Sequence, residues 1–236
     1  MKRLSYGGHP SQFAQLHLPD GHARVPVVVV IHGGFWRQQY GLELGSPLAH
    51  DLSAHGVAAW NIEYRRVGGG GGWPQTGDDV LAAIDALAAL DEPRLDLSRV
   101  VTLGHSAGGH LAVWAAAHHD RVTGAVSQAG VLDFHLHPRI TANACQLLGG
   151  TPDEVPDRYA AASPVGLVPI GVPVVCVHGD ADSDVPFEQS ESFLRAAGDG
   201  ARLVRVPGAD HMAVITPGTP AWEAARDAVL QLVRPC

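Results

Sequence analysis

Cysteine is scarce in this chain. Cys145, Cys176 and Cys236 are three residues in 236, an odd count without the spacing of a disulfide framework or a metal-ligand set. Such usage fits a reducing compartment, so a cytoplasmic protein is expected, with no metal ion and no organic cofactor. Positive charge is also short: 16 Lys and Arg stand against 24 Asp and Glu, for a formal net charge of −8 and no basic run. That balance argues against a nucleic-acid partner. Long apolar stretches are missing as well. Runs such as Val27–Ile31 fall far below the roughly 20 residues that cross a bilayer, so no membrane segment is expected. The opening MKRLSYGGHPSQ has two positive charges but no apolar stretch behind them, unlike a secretory signal.

What is present is an ordinary globular composition, 46% hydrophobic and 17% charged, which can fill a sizeable core. A chain of this length buries roughly 70–75% of its unfolded surface. One domain over residues 1–236 is expected, without repeats or a linker, and a homodimer is left open. Valine-rich runs alternate with alanine- and leucine-rich segments. Val25–Ile31, Val57–Ile62, Arg99–Leu103, Val122–Ser127, Pro173–Val177 and Arg202–Val206 read as strands, with Leu4–Tyr6 and Phe13–Leu18 as edge strands. Continuous rather than alternating hydrophobicity means that both faces are covered. Pro47–His55, Asp78–Leu90, Gly108–His118, Glu188–Ala197 and Ala221–Leu232 have helical spacing. This alternation predicts a doubly wound α/β sandwich with its working residues at the carboxyl ends of the strands. Two stretches break the rhythm. Val67–Trp73 is a five-glycine loop that needs outside contacts to hold a shape, and 133–163 sits where a lid would be inserted.

Gly104-His105-Ser106-Ala107-Gly108 fits G-x-S-x-G between a strand and a helix. A strand that turns at once into a helix strains the corner residue and requires small neighbours two positions away. It also leaves Ser106 at a helix N-terminus, where N–H groups favour negative charge. The serine needs a base. His105 leaves the turn in another direction and His110 lies in the first turn of the following helix, so a remote residue is expected instead. His32-Gly33-Gly34-Phe35-Trp36 follows another buried strand, and its glycines let backbone N–H groups face the serine. Such donors, aimed where the oxyanion of acyl transfer forms, are worth about 3–4 kcal/mol each.

With these two motifs the chain resembles the α/β-hydrolase family over nearly its whole length. HGGFW with GHSAGG is similar to the esterase branch that includes hormone-sensitive-lipase-type enzymes. The HGG-aromatic-Trp ending resembles kynurenine formamidase and its small bacterial carboxylesterase relatives. The resemblance implies the α/β-hydrolase fold, a mostly parallel doubly wound sheet flanked by helices with a short lid segment. It implies oxyanion donors at the amides of Gly34, Phe35 and Ala107, a supporting role for His32, and a structural role for Asn61-Ile-Glu-Tyr-Arg65.

The order serine, acid, histidine is expected next. After the strand Pro173–Val177 come three carboxylates, Asp180, Asp182 and Asp184, and spacing alone does not choose among them. The family pattern HG-x-x-D-x-x-VP falls on Asp182. Beyond that loop His211 is the single histidine, just past a strand, and an imidazole can both take and return a proton near neutrality. Asp210, adjacent to it, is a poorer orienter because consecutive side chains diverge. Ser106, Asp182 and His211 are thus the expected catalytic residues. Trp36, Trp73 and His105 are the expected substrate-binding residues, with Phe134 and Leu136 supplied by the lid. The expected function is a serine hydrolase that cleaves small carboxylic esters or an aryl formamide, formylkynurenine being the sharpest version, through an acyl-enzyme. A non-catalytic ligand-binding protein on the same scaffold and a peptidase-like acyl hydrolase stand as alternatives.

Overall fold

Strands β1 (Lys2–Ser5), β2 (Phe13–His17), β3 (Val25–Ile31), β4 (Ala58–Ile62), β5 (Leu95–His105), β6 (Val122–Gln128), β7 (Val174–Gly179) and β8 (Ala201–Val206) form one sheet in the computed structural model. The structure describes residues 2–234, and Cys236 lies outside them. The strand order is β1-β2-β4-β3-β5-β6-β7-β8; β2 runs antiparallel to both its neighbours, β1 and β4, and the remaining neighbours are parallel. Helices α1 (Ser46–Ala54), α2 (Gln75–Asp85), α3 (Ala107–His118), α4 (Pro138–Leu148), α5 (Pro156–Ala162), α6 (Glu188–Ala197) and α7 (Pro220–Leu232) complete the chain. This is the α/β-hydrolase fold, an eight-stranded mixed sheet flanked by helices.

The valine run of β3 shows why the sheet is buried on both sides. Val27, Val29 and Ile31 enter the core on one face, while Val28 and Val30 enter a second core on the other. Side chains that alternate across a strand and are all apolar demand a covered sheet. Helix α3 packs against the centre and buries every residue from Ala107 to Ala116, so it is hydrophobic all round. Cys176 packs inside β7 with no exposure, and burial pushes its thiol up to about 12.

From the central strand β3 the chain crosses to β4 on one side, then back to β5 on the other. The carboxyl ends of β3 and β5 therefore part at a switch point, the crevice where ligands bind in open α/β sheets. Pairing of Ile31 with Gly104 sets the HGGFW loop level with the serine turn. The glycine loop is held after all. Arg37 bridges Val67, and the Trp73 N–H reaches the Leu147 carbonyl at 2.9 Å.

Candidate active site

Ser106 occupies the corner between β5 and α3 with φ 55° and ψ −118°, a backbone conformation that a non-glycine residue adopts only under constraint. The constraint is visible in its neighbours. A Cβ on Gly104 would meet the Gly108 carbonyl, and one on Gly108 would meet the Ile31 and His32 carbonyls. Two glycines thus let strand, helix and the neighbouring loop close on one another. The Ser106 N–H is fixed by the Gln128 carbonyl at 2.8 Å, and its carbonyl accepts from Val131 and His110. The strained corner is over-determined by its surroundings, which is how such strain persists.

The three carboxylates of the acidic loop separate by burial. Asp180 takes the Gly208 N–H and the Arg205 guanidinium, tying β7 to β8. Asp184 pairs with Arg139 at 2.9 Å, both half-exposed. Only the Asp182 side chain is fully buried, and its Oδ2 lies 2.6 Å from His211 Nδ1. Its Oδ1 accepts the N–H groups of Asp184 and Val185. Burial alone would raise its pKa, but hydrogen bonds from His178 and His211, the His211 charge and the Val185 N–H hold it well below the usual carboxylate range. Asp210 turns away and accepts from Met212 and Ala213.

Ser106 and His211 line one cleft of about 250 Å³, with Gly34, Phe35, Tyr40 and Arg139 among its walls. No hydrogen bond joins the Ser106 hydroxyl to any described residue. The backbone N–H groups of Gly34, Phe35 and Ala107 have no acceptor among the described residues. Ala107 is the first residue of α3, where N–H groups have no intrahelical partner.

The loop carrying two of those N–H groups is braced from below. His32 Nδ1 donates to the Gly33 carbonyl at 2.8 Å, and its Nε2 meets Glu63 Oε1 at 2.9 Å. Its ring stacks on Tyr64 at 4.4 Å. Glu63 also pairs with Arg66 and accepts the Leu42 N–H. Burial works against its charge, yet the His32 and Arg66 bonds bring it down to about 2.

The profile of the BD-FAE family matches residues 15–196, a span that holds the HGGFW loop, Ser106 and Asp182. The chain belongs to the BD-FAE family. A carbohydrate esterase from gut microbiota, in truncated form, superposes with a TM-score of 0.84 at 21% identity over 99% of this chain and 96% of that one. Esterase 2 of Thermogutta terrifontis, with propionate bound, gives 0.79 at 21% identity over 100% and 96%. Esterase LipC of Mycobacterium tuberculosis is 27% identical over 89% of this chain and 59% of its own length. The chain spans less than two thirds of the curated relatives it matches.

Within this BD-FAE chain, two expected substrate contacts are displaced. Phe35 and Trp36 both have positive φ, 51° and 57°, and this turn sends the two side chains opposite ways. Phe35 faces the cleft. Trp36 is wholly buried, its Nε1–H on His110 Nδ1 at 3.2 Å and its edge against Phe134. Trp73 packs edge-on against Trp114 at 5.0 Å and does not line the cleft. Neither tryptophan is placed to touch substrate. Phe134 is likewise core, and Leu136 is exposed outside the cleft, so Arg139 is the residue that segment 133–163 contributes to the cleft wall. Sequence reasoning missed it.

His105 does line the cleft, beneath His211. Its Nε2 lies 2.9 Å from the His211 carbonyl and the two rings are 4.4 Å apart. A carbonyl only accepts, so Nε2 carries the hydrogen. Burial lowers the pKa of His105 to about 3, with the His211 charge acting the same way. The ring is therefore an uncharged strut that fixes the His211 backbone to the serine turn. No helix among the described residues is long and apolar enough to cross a membrane, and no metal-binding cluster occurs among them.

Proposed function

We propose that the chain hydrolyses esters of short acyl groups through an acyl-enzyme on Ser106. The observation that carries this reading is the His211–Asp182 bond of 2.6 Å, buried in the floor of the cleft that a strained Ser106 enters. With Nδ1–H donated to Asp182, His211 Nε2 keeps its lone pair and takes the Ser106 proton as Oγ attacks the substrate carbonyl. The negative charge on the former carbonyl oxygen falls to the N–H groups of Gly34, Phe35 and Ala107. Collapse expels the alcohol, which receives the proton from His211. Water then repeats the sequence to release the acid. Asp182 stays ionised throughout because its hydrogen bonds outweigh its burial.

Cleft size supports a small acyl group. About 250 Å³ lies below the roughly 300–1,000 Å³ of sites that enclose drug-sized ligands. Esterase 2 of Thermogutta terrifontis binds propionate and butyrate and is phosphonylated by sarin. On the alcohol side, the Arg139–Asp184 pair offers donors and acceptors to a hydroxyl-rich leaving group, consistent with the carbohydrate esterases among the relatives. An aryl formamide is the second reading, favoured by the Phe35 ring on the cleft wall.

A panel of nitrophenyl acetate, propionate and octanoate, an acetylated sugar and N-formylkynurenine tests both. Turnover of the short esters with little of the octanoate is expected. Formamide turnover exceeding that of every ester would select the second reading. Ser106→Ala is expected to fold normally, lose fluorophosphonate labelling and drop in turnover by roughly 10⁵-fold or more. An unchanged rate in that variant would assign the chemistry to another residue.

A further inference from the structure

His178 opens the motif that supplies Asp182, yet the acyl-transfer scheme gives it no task. Its side chain is fully buried. Nε2 lies 3.0 Å from the Val185 carbonyl oxygen and Nδ1 lies 2.8 Å from Ser190 Oγ. The carbonyl can only accept, so Nε2 bears the hydrogen, and the bare Nδ1 then accepts from the Ser190 hydroxyl. Both ends of the ring are thereby committed to one neutral tautomer. That same Nε2 is 3.3 Å from Asp182 Oδ2, the oxygen that accepts from His211. The contact to Asp182 is the longer arm of a forked donor, with Val185 taking the shorter. One carboxylate oxygen thus faces two imidazole N–H groups.

We propose that His178 is a positioning residue for the triad: its Nε2–H anchors Asp182 Oδ2 and draws on its negative charge, so that Asp182 holds the His211 imidazolium less tightly. The proposal rests on the acyl-transfer reading of Ser106, Asp182 and His211. A carboxylate whose charge is shared between two donors is a weaker partner to each. The other charged and titratable groups nearby have separate partners. His105 donates to the His211 carbonyl, Asp210 caps its own turn, and Asp184 is paired with Arg139 at the rim. The buried Cys176 thiol, beside Ser190, stays protonated. Removal of His178 therefore leaves Asp182 with one imidazole partner and no new charge. Asp182 then stabilises the imidazolium more strongly, and the base form of His211 emerges at higher pH.

The experiment is the pH dependence of kcat/KM for a short nitrophenyl ester in the wild type, His178→Leu and His178→Gln. The acid limb is expected to move up by about half a pH unit in His178→Leu. His178→Gln keeps an N–H donor and is expected to recover at least half of that shift. Superimposable acid limbs in all three proteins, even with a lower kcat in the variants, would overturn the proposal, because a purely structural role lowers activity without moving the limb. Nitrogen-15 NMR of the wild-type imidazoles is a second readout that needs no variant to fold. Nε2 protonated and Nδ1 bare at His178 supports the assignment, whereas an Nδ1-protonated or doubly protonated ring overturns it. Failure of the underlying reading looks different: the wild type would then turn over no ester or formamide and form no fluorophosphonate adduct.

Discussion

The floor and the rim of the cleft each contain carboxylates paired with nitrogen bases, in opposite solvent settings. Asp182 on the floor is fully buried, with two imidazoles and two backbone N–H groups around it. Glu63, beneath the HGGFW loop, is 7% exposed and shared among His32, Arg66 and the Leu42 N–H. At the rim Asp184 is 42% exposed and Arg139 49%. A buried charge is tolerable only when its partners replace the lost water, so removal of one partner leaves a large debt. An exposed pair trades one hydrated state for another and contributes little. The floor can therefore hold atoms for chemistry, while the rim can change with the substrate at small cost to the fold.

The largest expected effect comes from the floor. Asp182→Asn retains the shape but presents an amide that can no longer insist on the Nδ1–H tautomer of His211. A fall of about 10⁴-fold in kcat is expected from steady-state kinetics, with KM changed far less. A fall below tenfold would place the acid elsewhere and erase the distinction between Asp182 and its exposed neighbours.

Glu63→Ala comes next and acts first on stability. It strands the Arg66 guanidinium and His32 Nε2, both buried. Loss of about 3–5 kcal/mol in urea unfolding is expected, the range for breaking a buried pair on one side. The HGGFW loop, proposed to hold the oxyanion, rests on His32, so kcat is expected to fall too, even in the fraction that stays folded.

Acid sharpens the contrast further. Burial lowers His110 to about 4 and His105 to about 3, from an ordinary 6.5. His110 Nδ1 accepts from Trp36, and a proton there would break that bond. The unfolded chain takes up these protons below about pH 6.5 while the folded one refuses them. Stability is therefore present in full above pH 6.5 and falls as pH drops toward 4. Each histidine contributes a slope of about 1.4 kcal/mol per pH unit within its window. Replacement of His110 by Gln is expected to reduce the measured slope between pH 6 and 4.5 by that amount. An unaltered slope would mean that His110 is protonated in the native state.

Much of this was legible in the sequence because it depends on local chemistry. Gly104 and Gly108 flank a serine between a valine-rich strand and a helix, and the close approach they permit is what the structure contains. The placing of His211 followed from chain order, and that of Asp182 from the HG-x-x-D-x-x-VP pattern. The parts that stayed hidden depend on direction or on distant pairing. Two left-handed residues in succession send Phe35 to the cleft and Trp36 to the core, which no hydrophobic pattern encodes. Glu63 and Arg66 look like loop charges after β4 until the fold carries His32 over them. A hint was available, since a carboxylate one residue after a fully buried strand is short of water from the start. Arg139 had no such signal; it reaches the cleft because α4 begins beside the acidic loop.

Arg139→Ala is the gentlest of these changes. The pair it breaks is about half-exposed, so a stability change under about 1 kcal/mol is expected. Its effect on catalysis should be in the field at the mouth, because Asp184 is then left without its counter-charge beside the cleft. Turnover of a negatively charged ester such as a nitrophenyl hemisuccinate is expected to fall a few-fold relative to nitrophenyl acetate. Salt distinguishes this from a change of shape: at 1 M ionic strength the Debye length is about 3 Å, and the difference between the two esters should nearly vanish. Asp184→Asn leaves Arg139 unpaired and should reverse the preference by a similar factor. If both variants instead lost kcat equally on both esters, the rim would be part of the machinery that the floor was thought to hold alone.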